Sequence, residues 1–289
     1  MSKEENVAEN PTMELKIREL EVGGAEGPLG ARLYLGAPGK LDGLIVFFHS
    51  GGFVGGDLDD ADSFLRHLAA CSNDHLVLAS RYTLATHKPF PAAVEDAHAV
   101  LLWAKKNKAK LGWSGKRLVV AGIEAGANLA AVCALMARDR GAPALAGQIL
   151  IMPMLDPGLS TCSMREIPQD AELAKVADHV ADTCAASYRG YLPNAADRIH
   201  PYASPLQSSR LKNLPPALIL SAEDDPLRDE ADQYGAKLST CGVTTTVKRM
   251  APVPLQDPDA RNDCACKAVA LQEIGSFLKT LSDPACPAA

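Results

Sequence analysis

From Leu44 to the C-terminus, short apolar runs alternate with stretches of helical periodicity, and this alternation most limits the folds open to the chain. Leu44-Ile45-Val46-Phe47-Phe48, Leu76-Val77-Leu78, Leu118-Val119-Val120-Ala121, Ile149-Leu150-Ile151 and Ala217-Leu218-Ile219-Leu220 lack a polar alternate. Such runs read as strands buried on both faces. Between them, Pro91 opens a helix that continues through Val94, Ala97, Leu101 and Ala104. Leu129, Val132, Cys133 and Met136 share one face of a second helix, and Asp229 to Leu238 forms a third. Thr244 to Met250 is a last strand, and a closing helix carries Val269, Ile274, Phe277 and Leu278. Strand and helix in turn specify a central, mostly parallel sheet flanked by helices, an α/β fold. Ahead of this, Met13 to Leu20 and Ala31 to Leu35 alternate apolar and polar residues, as an antiparallel pair at a sheet edge does.

A chain of 289 residues, 47% hydrophobic, can bury one large core, and no linker divides residues 13–289. Residues 1–12 are polar and acidic and read as a disordered tail. The strand pattern stops between Asp156 and Pro205, where a helical, polar-mixed insertion of about 156–205 lies beyond a strand's carboxyl end. That position is over the usual ligand crevice of an open sheet, so the insertion reads as a small cap. A net charge of -6 without a basic cluster excludes a nucleic-acid partner. No apolar run approaches the ~20 residues of a membrane span. The start carries no secretory pattern, which points to the cytoplasm. The eight cysteines are scattered as free thiols, with no metal-ligand spacing and no cofactor motif.

Three constellations carry the chemistry. His49-Ser50-Gly51-Gly52-Phe53 follows a buried strand, where glycines let backbone N–H groups turn inward as donors. Gly122-Ile123-Glu124-Ala125-Gly126 joins a strand to a helix, with glycines at the flanking positions of a G-x-S-x-G elbow and glutamate at its centre. The acidic loop Glu223-Asp224-Asp225-Pro226-Leu227-Arg228-Asp229-Glu230 follows another strand, with Asp229 and Glu230 suited to capping the next helix. Ser114, in Gly112-Trp113-Ser114-Gly115, reads as a surface turn.

In this order the three resemble the hormone-sensitive-lipase type of esterase, an α/β-hydrolase family. Lys88-Pro89-Phe90-Pro91-Ala92-Ala93-Val94-Glu95-Asp96-Ala97, Pro153-Met154-Leu155-Asp156, Pro201-Tyr202-Ala203-Ser204-Pro205-Leu206, Leu214-Pro215-Pro216-Ala217 and Asp225-Pro226-Leu227-Arg228-Asp229-Glu230 match that family as well. The resemblance implies an oxyanion hole from the N–H groups of Gly51, Gly52 and Ala125, on a turn supported by His49. It places the nucleophile at position 124, the triad acid at Asp225 and the histidine about at Leu255. Position 124 is glutamate, and the seven histidines (His49, His67, His75, His87, His98, His179 and His200) all precede Asp225. Ser50, Ile123 and Ala127 depart from the pattern too.

A serine hydrolase needs a hydroxyl activated by a base. These replacements therefore lead to the expectation of a non-hydrolytic family member, a sensor or accessory protein that binds a small, partly apolar carbonyl or carboxylate ligand. The plant gibberellin receptors, which keep the fold without the histidine, are a precedent within the resemblance. The alternative is a repurposed isomerase, dehydratase, cyclase or decarboxylase with Glu124 as general acid or base. Asp225 would then be a like-charged neighbour, and His87 or His200 are the histidines able to approach. No cofactor or metal is expected, and dimerisation through the edge strand or closing helix is left open.

Overall fold

The apolar runs become the middle of one twisted sheet. The computed structural model describes residues 15–36, 39–72, 74–166, 171–253 and 260–282. Its strands are β1 (Lys16–Gly23), β2 (Pro28–Leu35), β3 (Leu41–Phe48), β4 (His75–Ser80), β5 (Trp113–Ile123), β6 (Gly147–Ile151), β7 (Ala217–Ala222) and β8 (Thr245–Met250). They lie in the order β1-β2-β4-β3-β5-β6-β7-β8. Pairing is parallel from β4 to β8, and β1 and β2 add the antiparallel edge that their alternation specified. Met13 and Glu14 of that expected pair lie outside the described residues.

The strand period of two sends alternate side chains into two cores. Leu44, Val46, Val120, Leu150 and Ile219 face the helices Ala92–Lys106, Ala125–Arg140 and Arg228–Thr240. Ile45, Phe47, Val119, Ile149 and Leu218 face Asp62–Cys71, Ala260–Cys266 and Ala268–Thr280. The helix Ala125–Arg140 is buried on every side from Ala125 to Ala137, and its many alanines let neighbouring backbones come close.

Between β6 and β7 the chain forms helices Cys162–Arg165 and Ala171–Tyr191 and the short turns Ala195–Ile199 and Pro205–Gln207. The end of the longer helix lies over the glycine turn after β3. Tyr191 stacks on Phe53 with centroids 3.8 Å apart. A Cβ on Gly52 would fall 2.2 Å from Ser187 Oγ.

Two local expectations change. Ser114 is part of β5, because pairing of Trp113 with Leu41 extends that strand back past the surface turn. Val269 is 58% exposed, while Ile274, Phe277 and Leu278 of the same helix are buried. The apolar stripe there covers less of the helix than its composition suggested. Among the described residues no helix is long and apolar enough to cross a membrane.

Leu150, in the middle of the sheet, is 0% exposed. Leu150→Ala removes its packing from a site that cannot collapse, so it should lower unfolding stability by about 2–5 kcal/mol. Urea denaturation followed by circular dichroism checks this.

Candidate active site

The first constellation sits where β3 ends beside β5. Gly51 and Gly52 adopt φ of 117° and 59°, which turns their N–H groups to one side. His49 braces that turn. Its buried ring stacks on Tyr82 with centroids 4.3 Å apart, and Nδ1–H donates to the Ser50 carbonyl at 2.6 Å. Burial, only partly offset by that bond, lowers the His49 pKa and keeps the ring neutral.

The second constellation is a sharp elbow. Glu124 adopts φ 55°, ψ -111° between β5 and the helix Ala125–Arg140, a conformation costly for a residue with a side chain. Surrounding bonds over-determine it. The Glu124 N–H donates to the Ile151 carbonyl at 2.9 Å, and its carbonyl accepts from Ala127 and Asn128, each at 3.1 Å. The flanking glycines are needed for close approach, since a Cβ on Gly126 would fall 2.0 Å from the Phe48 carbonyl oxygen.

The elbow aims its carboxylate into the glycine turn. Glu124 Oε2 accepts from the Gly51 N–H at 2.7 Å and the Gly52 N–H at 3.0 Å. The sequence expectation brought these three residues together, and they do meet. Ala125, the third expected donor, is buried at the helix start and makes no bond to that carboxylate.

Asp225 follows β7 and is wholly buried. Its Oδ1 accepts from the Leu227 N–H at 2.9 Å. It does not touch Glu124 directly, because Arg261 stands between them. The Arg261 Nε and Nη2 donate to the two Asp225 oxygens at 3.1 Å each, and Nη1 lies 3.6 Å from Glu124 Oε1. Burial opposes the charge on Arg261, but the Asp225 and Glu124 carboxylates outweigh it and raise its pKa.

Leu255, the expected histidine position, lies outside the described residues. The group found against Asp225 is thus an arginine from Ala260–Cys266, a helix that sequence patterning did not reveal. One signal could have found it. Two carboxylates at a buried site require a cation, and between the last strand and the closing helix only Arg261 and Lys267 are basic. His87 and His200, expected to approach, stay on the surface: His87 contacts Thr86, and His200 contacts Tyr202 and Phe90.

Asp229 and Glu230, expected to cap their own helix, do not: its N-cap Leu227 takes no side-chain bond, and both carboxylates reach outward. Glu230 Oε2 accepts from the Leu155 N–H at 2.5 Å and the Asp156 N–H at 2.9 Å, and Asp229 Oδ2 accepts from the Ser163 N–H at 2.8 Å. The acidic loop is thereby tied to the first residues of the insertion between β6 and β7. No cluster of three or more His, Cys, Asp or Glu side chains able to hold a metal occurs among the described residues.

A profile of the alpha/beta hydrolase fold family matches residues 45–254, a span that contains the glycine turn, the elbow and the acidic loop. The chain belongs to that family. Esterase LipI of Mycobacterium tuberculosis is 37% identical over 239 residues, 81% of this chain and 72% of LipI. The arylesterase of Saccharolobus solfataricus is 30% identical, over 83% of this chain and 74% of its own length. A hyperthermophilic esterase from the archaeon Pyrobaculum calidifontis superposes with a TM-score of 0.81 at 35% identity, covering 92% of this chain and 86% of the esterase.

These relatives overturn the expectation of a non-hydrolytic sensor or accessory protein, and with it the repurposed isomerase, dehydratase, cyclase or decarboxylase. Proteins 30–37% identical over most of the chain are named esterases. That expectation rested on the residues at and near positions 124 and 255 alone.

Glu230 offers a pH test of the tie. Burial, against the pull of the two backbone N–H groups, pushes its pKa up from 4.5 to about 8. Between these values the native chain keeps a proton that the unfolded chain has released, so native stability falls as pH rises through that window. Glu230→Gln removes the titration. The urea midpoint of wild type should therefore drop relative to Glu230→Gln from about pH 5 to 8, and parallel curves would contradict a proton held at Glu230.

Proposed function

We propose that this alpha/beta hydrolase cleaves carboxylic esters without the serine and histidine of its relatives' chemistry, with Glu124 as the base. The observation that supports it most is the Glu124 carboxylate itself. It stands at the nucleophile elbow, on the N–H groups of Gly51 and Gly52 and beside Arg261, in a chain 37% identical to an esterase. The helix Ala171–Tyr191 serves in this reading as the cap, since Ser187 lies against Gly52.

In the proposed cycle Glu124 swings off the two N–H groups and takes a proton from water, and the resulting hydroxide bonds to the acyl carbon. The carbonyl π pair moves onto its oxygen, which then accepts from the Gly51 and Gly52 N–H groups. Collapse breaks the bond to the alcohol oxygen, and the leaving alkoxide takes the proton back from Glu124. Acid and alcohol depart, and the carboxylate is restored. No covalent acyl-enzyme forms. One carboxylate thus acts as base and then as acid, which in general contributes about 10²–10⁴-fold. Turnover should accordingly be slower than a triad provides, and best on esters with good leaving groups.

Hydrolysis of p-nitrophenyl acetate tests this reading. Wild type should release p-nitrophenol above a heat-inactivated control, without an initial burst. Glu124→Gln keeps the shape of the side chain but cannot hold the proton, and should lower the rate on the order of 100-fold. A wild type no faster than the control, or a Glu124→Gln protein as fast as wild type, would overturn it.

A further inference from the structure

We infer that Arg261 is a positioning residue of this site: anchored on Asp225, it holds Glu124 Oε1, so that Oε2 can leave the Gly51 and Gly52 N–H groups for water without the carboxylate leaving the elbow. The inference rests on reading Glu124 as the reacting carboxylate, and it assigns a role to a helix, Ala260–Cys266, outside the three sequence constellations.

The geometry carries it. Arg261 is 15% exposed, Glu124 12% and Asp225 1%, so all three charges share a mostly dry site. The two bonds at 3.1 Å from Nε and Nη2 fix the guanidinium plane against Asp225. That fork leaves Nη1 directed at Glu124 Oε1, while Oε2 of the same carboxylate is held by the backbone. Asp225 therefore does not act on a base, as a triad acid would. It orients a fixed cation, which an ammonium on a flexible stem would do less well. The neighbour Asn262 reaches back to Ser50 Oγ at 3.5 Å, so the same short helix also touches the glycine turn.

Among the described residues, the other titratable groups that bear on the site are Cys184 on the covering helix, Tyr82 after β4 and Glu230 behind the acidic loop. Burial pushes Cys184 up to about 12 and Tyr82 well above its ordinary value, so both are neutral through the acid and neutral range. Glu230 titrates near pH 8.

The experiment follows Glu124 directly. In protein labelled with ¹³C at glutamate Cδ, the Glu124 resonance is assigned by its loss in Glu124→Gln and titrated in wild type, Arg261→Met and Arg261→Lys. Arg261→Met should raise the Glu124 midpoint by about 1–3 pH units, and Arg261→Lys should restore at least half of that shift. If Arg261→Met does not fold, Arg261→Gln removes the charge while keeping a hydrogen-bond donor and makes the same comparison. On p-nitrophenyl acetate the acid limb of the pH–rate profile should move up in step with the resonance. A Glu124 midpoint unmoved by loss of the cation would overturn the inference, leaving Arg261 as packing. The resonance needs no turnover, so failure of the ester reading and failure of the Arg261 role are told apart. Absence of hydrolysis with a shifted midpoint sinks only the former.

Discussion

Two carboxylates are brought to the carboxyl ends of β5 and β7, on either side of β6, and one guanidinium holds them there. Charges taken from water at this depth are tolerated only when paired and hydrogen-bonded, and removing one partner of such a pair typically costs about 3–5 kcal/mol. Asp225 alone has its backbone bond to Leu227 and little else to balance its charge. Glu124 has two N–H donors, and the guanidinium supplies the remaining partner for both acids. The elbow's strained backbone, the glycine turn and the helix after β8 are all arranged around this one contact.

The elements that carry these groups are coupled beyond the site. The acidic loop reaches through Asp229 and Glu230 to the backbone of Ser163, Leu155 and Asp156. Asp156 in turn accepts from Gly158 and Gln207, one at either end of the insertion. The covering helix meets the glycine turn through Tyr191 on Phe53 and Ser187 on Gly52. A displacement of the insertion is thus felt at Asp225 from one side and at Gly52 from the other. This is the kind of linkage by which packed, discrete contacts transmit a change between distant parts of a fold.

Family membership and site chemistry meet at the elbow. The relatives named as esterases match this chain over most of its length, and a solved esterase shares its fold. Position 124 of this chain is a glutamate set on the Gly51 and Gly52 N–H groups. A serine begins as a neutral hydroxyl and needs an imidazole to accept its proton. A carboxylate has no hydroxyl for such a base to activate, and here it is set beside an arginine. Arg261 joins Glu124 and Asp225, so a substitution at any one of the three changes the surroundings of the other two.

Local chemistry decided much of this from the sequence alone. Continuous apolar runs have one way to be satisfied, burial on both faces of a sheet, and β3 to β7 follow from that. Glycines around Glu124 and at positions 51 and 52 mark backbone that must approach closely or turn with positive φ, so the elbow and the donor turn were legible too. Asp225 was found by its place after a strand. Arg261 was not, because its role depends on a charge pairing with Asp225, 36 residues away in the chain, and no periodicity encodes that. The distance of His87 and His200 from the site, the reach of Glu230 into the insertion and the burial of Ser187 against Gly52 were likewise decided only in three dimensions. Backbone preferences act over a few neighbours and leave a trace in the sequence. Compensation of buried charge acts through space, and only the packed tertiary structure settles which residue provides it.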